Sequence, residues 1–189
     1  MPMNDEILEY LKDNIKEKRV HHIIRVADTA RKLADLHKVS AEKVYTAALL
    51  HDSAKGNEES LFTKYKEILS KEWNDLDEDL KAEPIVHGPL AGILAREEFG
   101  IEDEEILNAI VYHTTGRENM TKVEEIVYLA DKLEPKRDYP KIEEIRNIAK
   151  IDLEKAMLLS FDNAIEYLID RKEPIAMITI RSRNNLLRR

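Results

Sequence analysis

The stretch YTAALLHDSAKG, residues 45–56, runs from the apolar sequence Ala47-Ala48-Leu49-Leu50 straight into His51 and Asp52, with Lys55 one turn further on. A run this apolar belongs in a core. A carboxylate buried at its end without a partner costs several kcal/mol, so the rest of the chain must supply compensation.

Working outward, helical periodicity covers most of the sequence. Ile7, Leu8, Leu11 and Ile15 mark a first segment, and Val26, Ala30, Leu33 and Ala34 a second. Ser40 as N-cap and Gly56-Asn57 as a stop predict one helix leading to Lys55, while Thr121 with Glu124 forms a capping-box pattern opening the segment that carries Asp131. Further helices are expected near 58–73, 89–99, 102–113, 141–150, 153–171 and 175–187, joined by turns such as Pro84 to Pro89 and Glu134 to Pro140. Alternating strand patterns, repeats and dividing linkers are absent. The chain therefore reads as all-α, one compact helical domain over 1–189.

With 189 residues and 43% hydrophobic content the chain can bury a full core. It has no cysteine, which suits a reducing compartment and confines metal ligation to His, Asp and Glu. The acidic start, Met1 to Glu6, is not followed by an apolar leader, and no apolar run reaches spanning length, so a cytoplasmic protein without a membrane partner is expected. A net charge of −8 opposes nucleic-acid binding but leaves room for a small phosphorylated ligand in a locally basic pocket. The five glycines form no spaced phosphate loop, so side chains or a metal must hold any phosphate.

Of six histidines, four interrupt or end apolar segments: His22, expected to open a helix, His51 before Asp52, His87 before Gly88-Pro89, and His113 at the end of LNAIVYH. Asp131 adds a carboxylate inside VYLADKLEP. Each alone has an ordinary explanation as a hydrogen-bonded core residue or helix-end acceptor. As a set they exceed the polar exceptions a core needs, and imidazole with carboxylate is the donor set for iron, manganese or zinc when cysteine is missing. A cation would offset the burial of Asp52 and Asp131. His37 lies fifteen residues beyond His22, about 22 Å along a helix, too far to share its metal and better placed at a helix C-terminus. His21 points about 100° away from His22 around the helix, toward the surface or behind the ligands. Lys55 is placed on the same helix face as His51, to meet a phosphate, and Arg19, Arg117, Lys132 and Arg137 flank the other candidates.

His22, the His51-Asp52 doublet and Asp131 resemble the H…HD…D signature of the HD-domain metal-dependent phosphohydrolases. RVHH at 19–22, HDSAK at 51–55, HGPLA at 87–91, YHTTGRENM at 112–120 and LADKLEPKR at 129–137 together resemble the bacterial YqeK family of symmetrical diadenosine-tetraphosphate hydrolases, over about 16–187. The resemblance implies an HD-domain helical bundle with His22, His51, Asp52 and Asp131 as metal ligands. Iron is the implied metal, with manganese or another first-row ion as alternatives, in one or two ions. It makes His87 and His113 either ligands of a second metal or phosphate contacts, and places Arg19, Lys55, Thr114, Arg117, Arg137 and the tail residue Arg183, with Asp131, around the nucleotide. Two departures stand out: Val20 replaces the usual aromatic, and Ile23-Ile24-Arg25 the expected Thr-Leu-Gly.

The expected reaction is cleavage of a dinucleoside tetraphosphate to two nucleoside diphosphates by attack of metal-bound hydroxide. Asp52 would hold the metal, Lys55 would stabilise the leaving diphosphate, and His87 or His113, if not ligating, would protonate it. The alternatives are another HD-type nucleotide phosphohydrolase and a nucleotide-sensing module without turnover. A homodimer is left open.

Overall fold

The computed structural model describes residues 2–188; Met1 and Arg189, the ends of the domain expected over 1–189, lie outside the described residues. Among the described residues there is no strand. The helices are α1 (Pro2–Asn14), α2 (Glu17–His37), α3 (Ala41–Leu50), α4 (Glu58–Lys64), α5 (Lys66–Glu72), α6 (Glu78–Lys81), α7 (His87–Phe99), α8 (Glu104–Val111), α9 (Lys122–Leu133), α10 (Ile142–Ala149), α11 (Leu153–Asp170) and α12 (Met177–Leu186), with a 3₁₀ turn at Trp73–Asp75. None is long and apolar enough to cross a membrane.

The apolar run of the opening stretch is the axis of the bundle. Val44, Ala47, Ala48, Leu49 and Leu50 are fully buried, and α1, α2, α7, α8 and α9 all pack against α3. Burial all round explains why the stretch 47–50 has no polar face, since each enclosed Leu contributes about 1.5–3 kcal/mol. The expected caps form. Ser40 Oγ accepts the Lys43 N–H, and Thr121 and Glu124 complete the reciprocal capping box of α9.

The end of α3 departs from expectation. The helix stops at Leu50 rather than reaching Lys55, and residues 51–56 continue as tighter turns with i→i+3 bonds from Ser53 to Leu50, Lys55 to Asp52 and Asn57 to Ala54. His51 and Lys55 therefore do not share a helix face. The tighter winding instead lets His51 bond back to the Ala48 carbonyl. The helix expected over 58–73 breaks at Tyr65, which is buried with its hydroxyl donating to Glu98 on α7 at 2.7 Å. His22 lies in the second turn of α2 rather than opening it.

Helices α7 and α8 cross closely at Gly88, where an added Cβ would stand 2.5 Å from the Val111 carbonyl oxygen. Gly88→Ala gains about 0.5–1 kcal/mol of helix propensity, but overpacking against backbone costs about 1–3 kcal/mol. We expect a net loss of stability, read as a lower urea midpoint. An unchanged or raised midpoint would show that the crossing has slack.

Candidate metal centre

Five elements deliver polar side chains to one buried point. α2 brings His22, the end of α3 brings His51 and Asp52, the start of α7 brings His87, the turn after α8 brings His113, and α9 brings Asp131; all six are buried. His22 Nε2 stands 3.1 Å from Asp131 Oδ1 and 3.7 Å from Asp52 Oδ2, and His51 Nε2 stands 3.7 Å from that same Asp52 oxygen. On the other side of the carboxylate, Asp52 Oδ1 is 3.2 Å from His87 Nε2 and 3.7 Å from His113 Nε2. Asp52 thus separates a His22–His51–Asp131 group from a His87–His113 pair.

The backbone sets which nitrogen of each ring faces inward. His51, His87 and His113 each place Nδ1 against the carbonyl three residues earlier, at Ala48 (2.6 Å), Pro84 (2.8 Å) and Ile110 (2.7 Å). A carbonyl only accepts, so Nδ1 carries the proton and donates it, and Nε2 of a neutral ring offers its lone pair to the cluster. His22 reaches the same orientation with Glu134 Oε1, 3.3 Å from its Nδ1, as acceptor.

Electrostatics favour neutral rings at His51 and His113 and charge on both carboxylates. Burial pushes the His51 and His113 imidazoles down, for His113 well below the usual range. Burial opposes charge on Asp52 and Asp131 too, but is outweighed by His51, His87, His113 and Lys55 around the first, and by Lys132, His22, His51 and Arg137 around the second. Both carboxyls sit well below the ordinary carboxylate range.

Such a set fits a cation. His22 Nε2, His51 Nε2 and Asp52 Oδ1 are buried without hydrogen-bond partners, and His87 Nε2 lies 3.1 Å from His113 Nε2. Inward-facing lone pairs at that spacing repel unless a proton or metal ion lies between them. Two triads have ligand atoms within 4.8 Å of one another: His22–His51–Asp131 and His51–Asp52–His113. Nitrogen and carboxylate oxygen donors suit a divalent first-row ion.

Cations ring the carboxylates. Arg19 Nη1 is 2.8 Å from Asp52 Oδ2, Lys55 Nζ 3.7 Å from Asp52 Oδ1, Lys132 Nζ 2.8 Å from Asp131 Oδ2 and Arg137 Nη2 2.7 Å from Asp131 Oδ1. Thr114 Oγ1 lies 3.1 Å from His113 Nε2. Outside this ring, a cleft of about 500 Å³ opens in front of His22, lined by Lys16, Lys18, Arg19, Arg25, Lys136 and Arg137, with Glu134 as its one carboxylate. Lys16, Lys18, Arg25 and Lys136 were not among the phosphate contacts expected from the sequence. Lys18 and Arg25 stand four before and three after His22, a same-face helical spacing that marks them.

Two expected phosphate contacts are engaged elsewhere. Arg117 makes a bidentate pair with buried Glu124 at 2.6 and 2.7 Å, and Arg183 donates to Asp162 at 2.7 Å. Both satisfy a nearby carboxylate rather than the cluster. His21 is exposed. His37 ends α2, but its Nε2 meets the Ala149 carbonyl of α10 at 2.7 Å, so it ties two helices together.

Residues 19–136 match the HD domain family. The chain is 39% identical to a symmetrical bis(5'-nucleosyl)-tetraphosphatase of Halalkalibacterium halodurans over 95% of both chains. It is 34% identical to a protein of that name from Bacillus subtilis over 90% of both. A crystal structure from Clostridium acetobutylicum, described as a predicted HD superfamily hydrolase involved in NAD metabolism, superposes with a TM-score of 0.87 at 41% identity, covering 98% of this chain and 97% of that one.

Replacing Asp52 removes the anion that both histidine groups face. In Asp52→Ala, manganese affinity should fall by more than the roughly 10–100-fold typical of losing a partner behind the ligands. Calorimetric titration and elemental analysis of the purified protein measure it. Full metal content in this variant would rule out Asp52 as a ligand.

Proposed function

The chain belongs to the HD domain family, among the symmetrical bis(5'-nucleosyl)-tetraphosphatases, and on that premise we infer that it hydrolyses diadenosine tetraphosphate to two ADP. The observation that carries the reading is the juxtaposition of a neutral-imidazole and carboxylate cluster with a cleft of six cations. A polyphosphate needs the second, and its hydrolysis the first.

His22, His51, Asp52 and Asp131 would hold a divalent ion, and Asp52 with His87 and His113 would hold another. Their nitrogen and oxygen donors are compatible with iron, the metal we propose. When bound, the ion supplies a water acidified toward neutral pH and positive charge beside the phosphoryl oxygens.

The chain's own groups do the rest. Arg19, Lys55 and Arg137 each reach a buried carboxylate while remaining 35–40% exposed. Their free N–H donors can therefore bind phosphate without leaving the cluster. Water adds to one central phosphorus, the bridging P–O bond breaks, and ADP departs with the bridging oxygen while the other ADP keeps the solvent oxygen. Lys55, beside Asp52, is placed to stabilise the charge that develops on the departing diphosphate. His113 suits ligation better than acid catalysis. Burial keeps its ring neutral, and its Nδ1 proton is committed to Ile110.

Chromatography of products formed in oxygen-18 water should show ADP alone, with one solvent oxygen per cleavage. AMP plus ATP would overturn the central cut, and no hydrolysis with iron or manganese would favour a sensing module. Lys55→Ala should keep its metal and lose about 10²–10³-fold in kcat, the usual cost of removing one donor to developing charge. Loss of metal along with activity would contradict that role.

A further inference from the structure

Three of the four inward-facing imidazoles are oriented by main-chain carbonyls; His22 alone is oriented by a side chain, Glu134. Glu134 is itself held on every side. Its Oε2 accepts from Arg25 Nε at 2.6 Å and from the Lys136 N–H at 2.9 Å, while its Oε1 is 3.2 Å from Arg25 Nη2. It is 3% exposed and sits at the C-cap of α9, where Arg146 of α10 donates to the Leu133 carbonyl at 3.0 Å and to Glu134's own carbonyl at 2.7 Å.

The sequence spacing produces an interlock. His22 and Arg25 are three apart on α2, and Asp131 and Glu134 are three apart at the end of α9, so each pair presents one face to the other. His22 meets both carboxylates, through Nε2 to Asp131 and through Nδ1 to Glu134. Arg25, through Nε and Nη2, is the side chain that clamps Glu134.

We propose that Glu134 is a positioning residue for the metal centre: its carboxylate, clamped by Arg25, fixes the His22 ring with Nε2 toward Asp131 and Asp52 and makes that nitrogen a stronger donor. An anionic acceptor at Nδ1 feeds electron density to Nε2 more than a neutral carbonyl does. Among the four histidines, His22 is thus the one whose donor strength is set by a replaceable side chain. The proposal rests on the metal-binding reading of the cluster.

The test pairs Glu134→Gln, which keeps shape and removes charge, with two readouts other than turnover. Manganese titration by calorimetry should show roughly 10–100-fold weaker binding than wild type. Nitrogen-15 NMR of the histidine rings in the metal-free protein should show wild-type His22 protonated at Nδ1, with that preference lost in the variant while His51, His87 and His113 keep theirs. Manganese affinity within about twofold of wild type in a folded variant would overturn the proposal. So would wild-type His22 protonated at Nε2, a measurement that stands even if the variant fails to fold. Wild-type protein that binds no manganese, iron or cobalt would defeat the metal reading itself.

Discussion

The burial of Asp52 governs this molecule. Its carboxylate is 2% exposed just past the buried apolar run of α3, where desolvation of a charge costs several kcal/mol unless partners offset it. Four imidazoles, Arg19 and Lys55 converge on it from α2, α7 and the turns after α3 and α8. Every one of those elements must reach the same point for the charge to be tolerated. Packing of the bundle and assembly of the site are therefore one requirement.

The local backbone solves half of that problem before any tertiary contact is made. A histidine bonded to the carbonyl three residues back has its ring direction and its tautomer set within one turn, and His51, His87 and His113 share this device at a helix end, a helix start and a post-helical turn. Tertiary packing then has only to bring three preset nitrogens together. His22 lies inside α2, where the carbonyls are already spent on helical bonds, and so takes its acceptor from α9.

Much of this was legible in the sequence. The helical periods, the Ser40 and Thr121 caps and the apolar run into His51-Asp52 are local signals, and they correspond to the helices that form. What escaped was decided by contacts between distant residues. Nothing around Lys55 announces that the chain tightens at residue 51, where His51 turns its ring back to the Ala48 carbonyl. Tyr65 breaks a helical pattern to reach Glu98, thirty-three residues away. The bidentate pair of Arg117 with buried Glu124 was not foreseen, although Glu124 was already marked as a capping residue. Arg25 was noted only as a departure from family pattern, and its partner lies 109 positions on.

The cleft in front of His22 also sets a local charge against the sign of the whole chain. The whole chain carries a charge of −8, yet six cations gather in this one opening, so the remaining surface is more negative than the total. A cleft of that sign attracts a polyanion over a Debye length of about 8 Å, although the chain as a whole repels one, so the local arrangement of charge and not its total decides what approaches the metal centre.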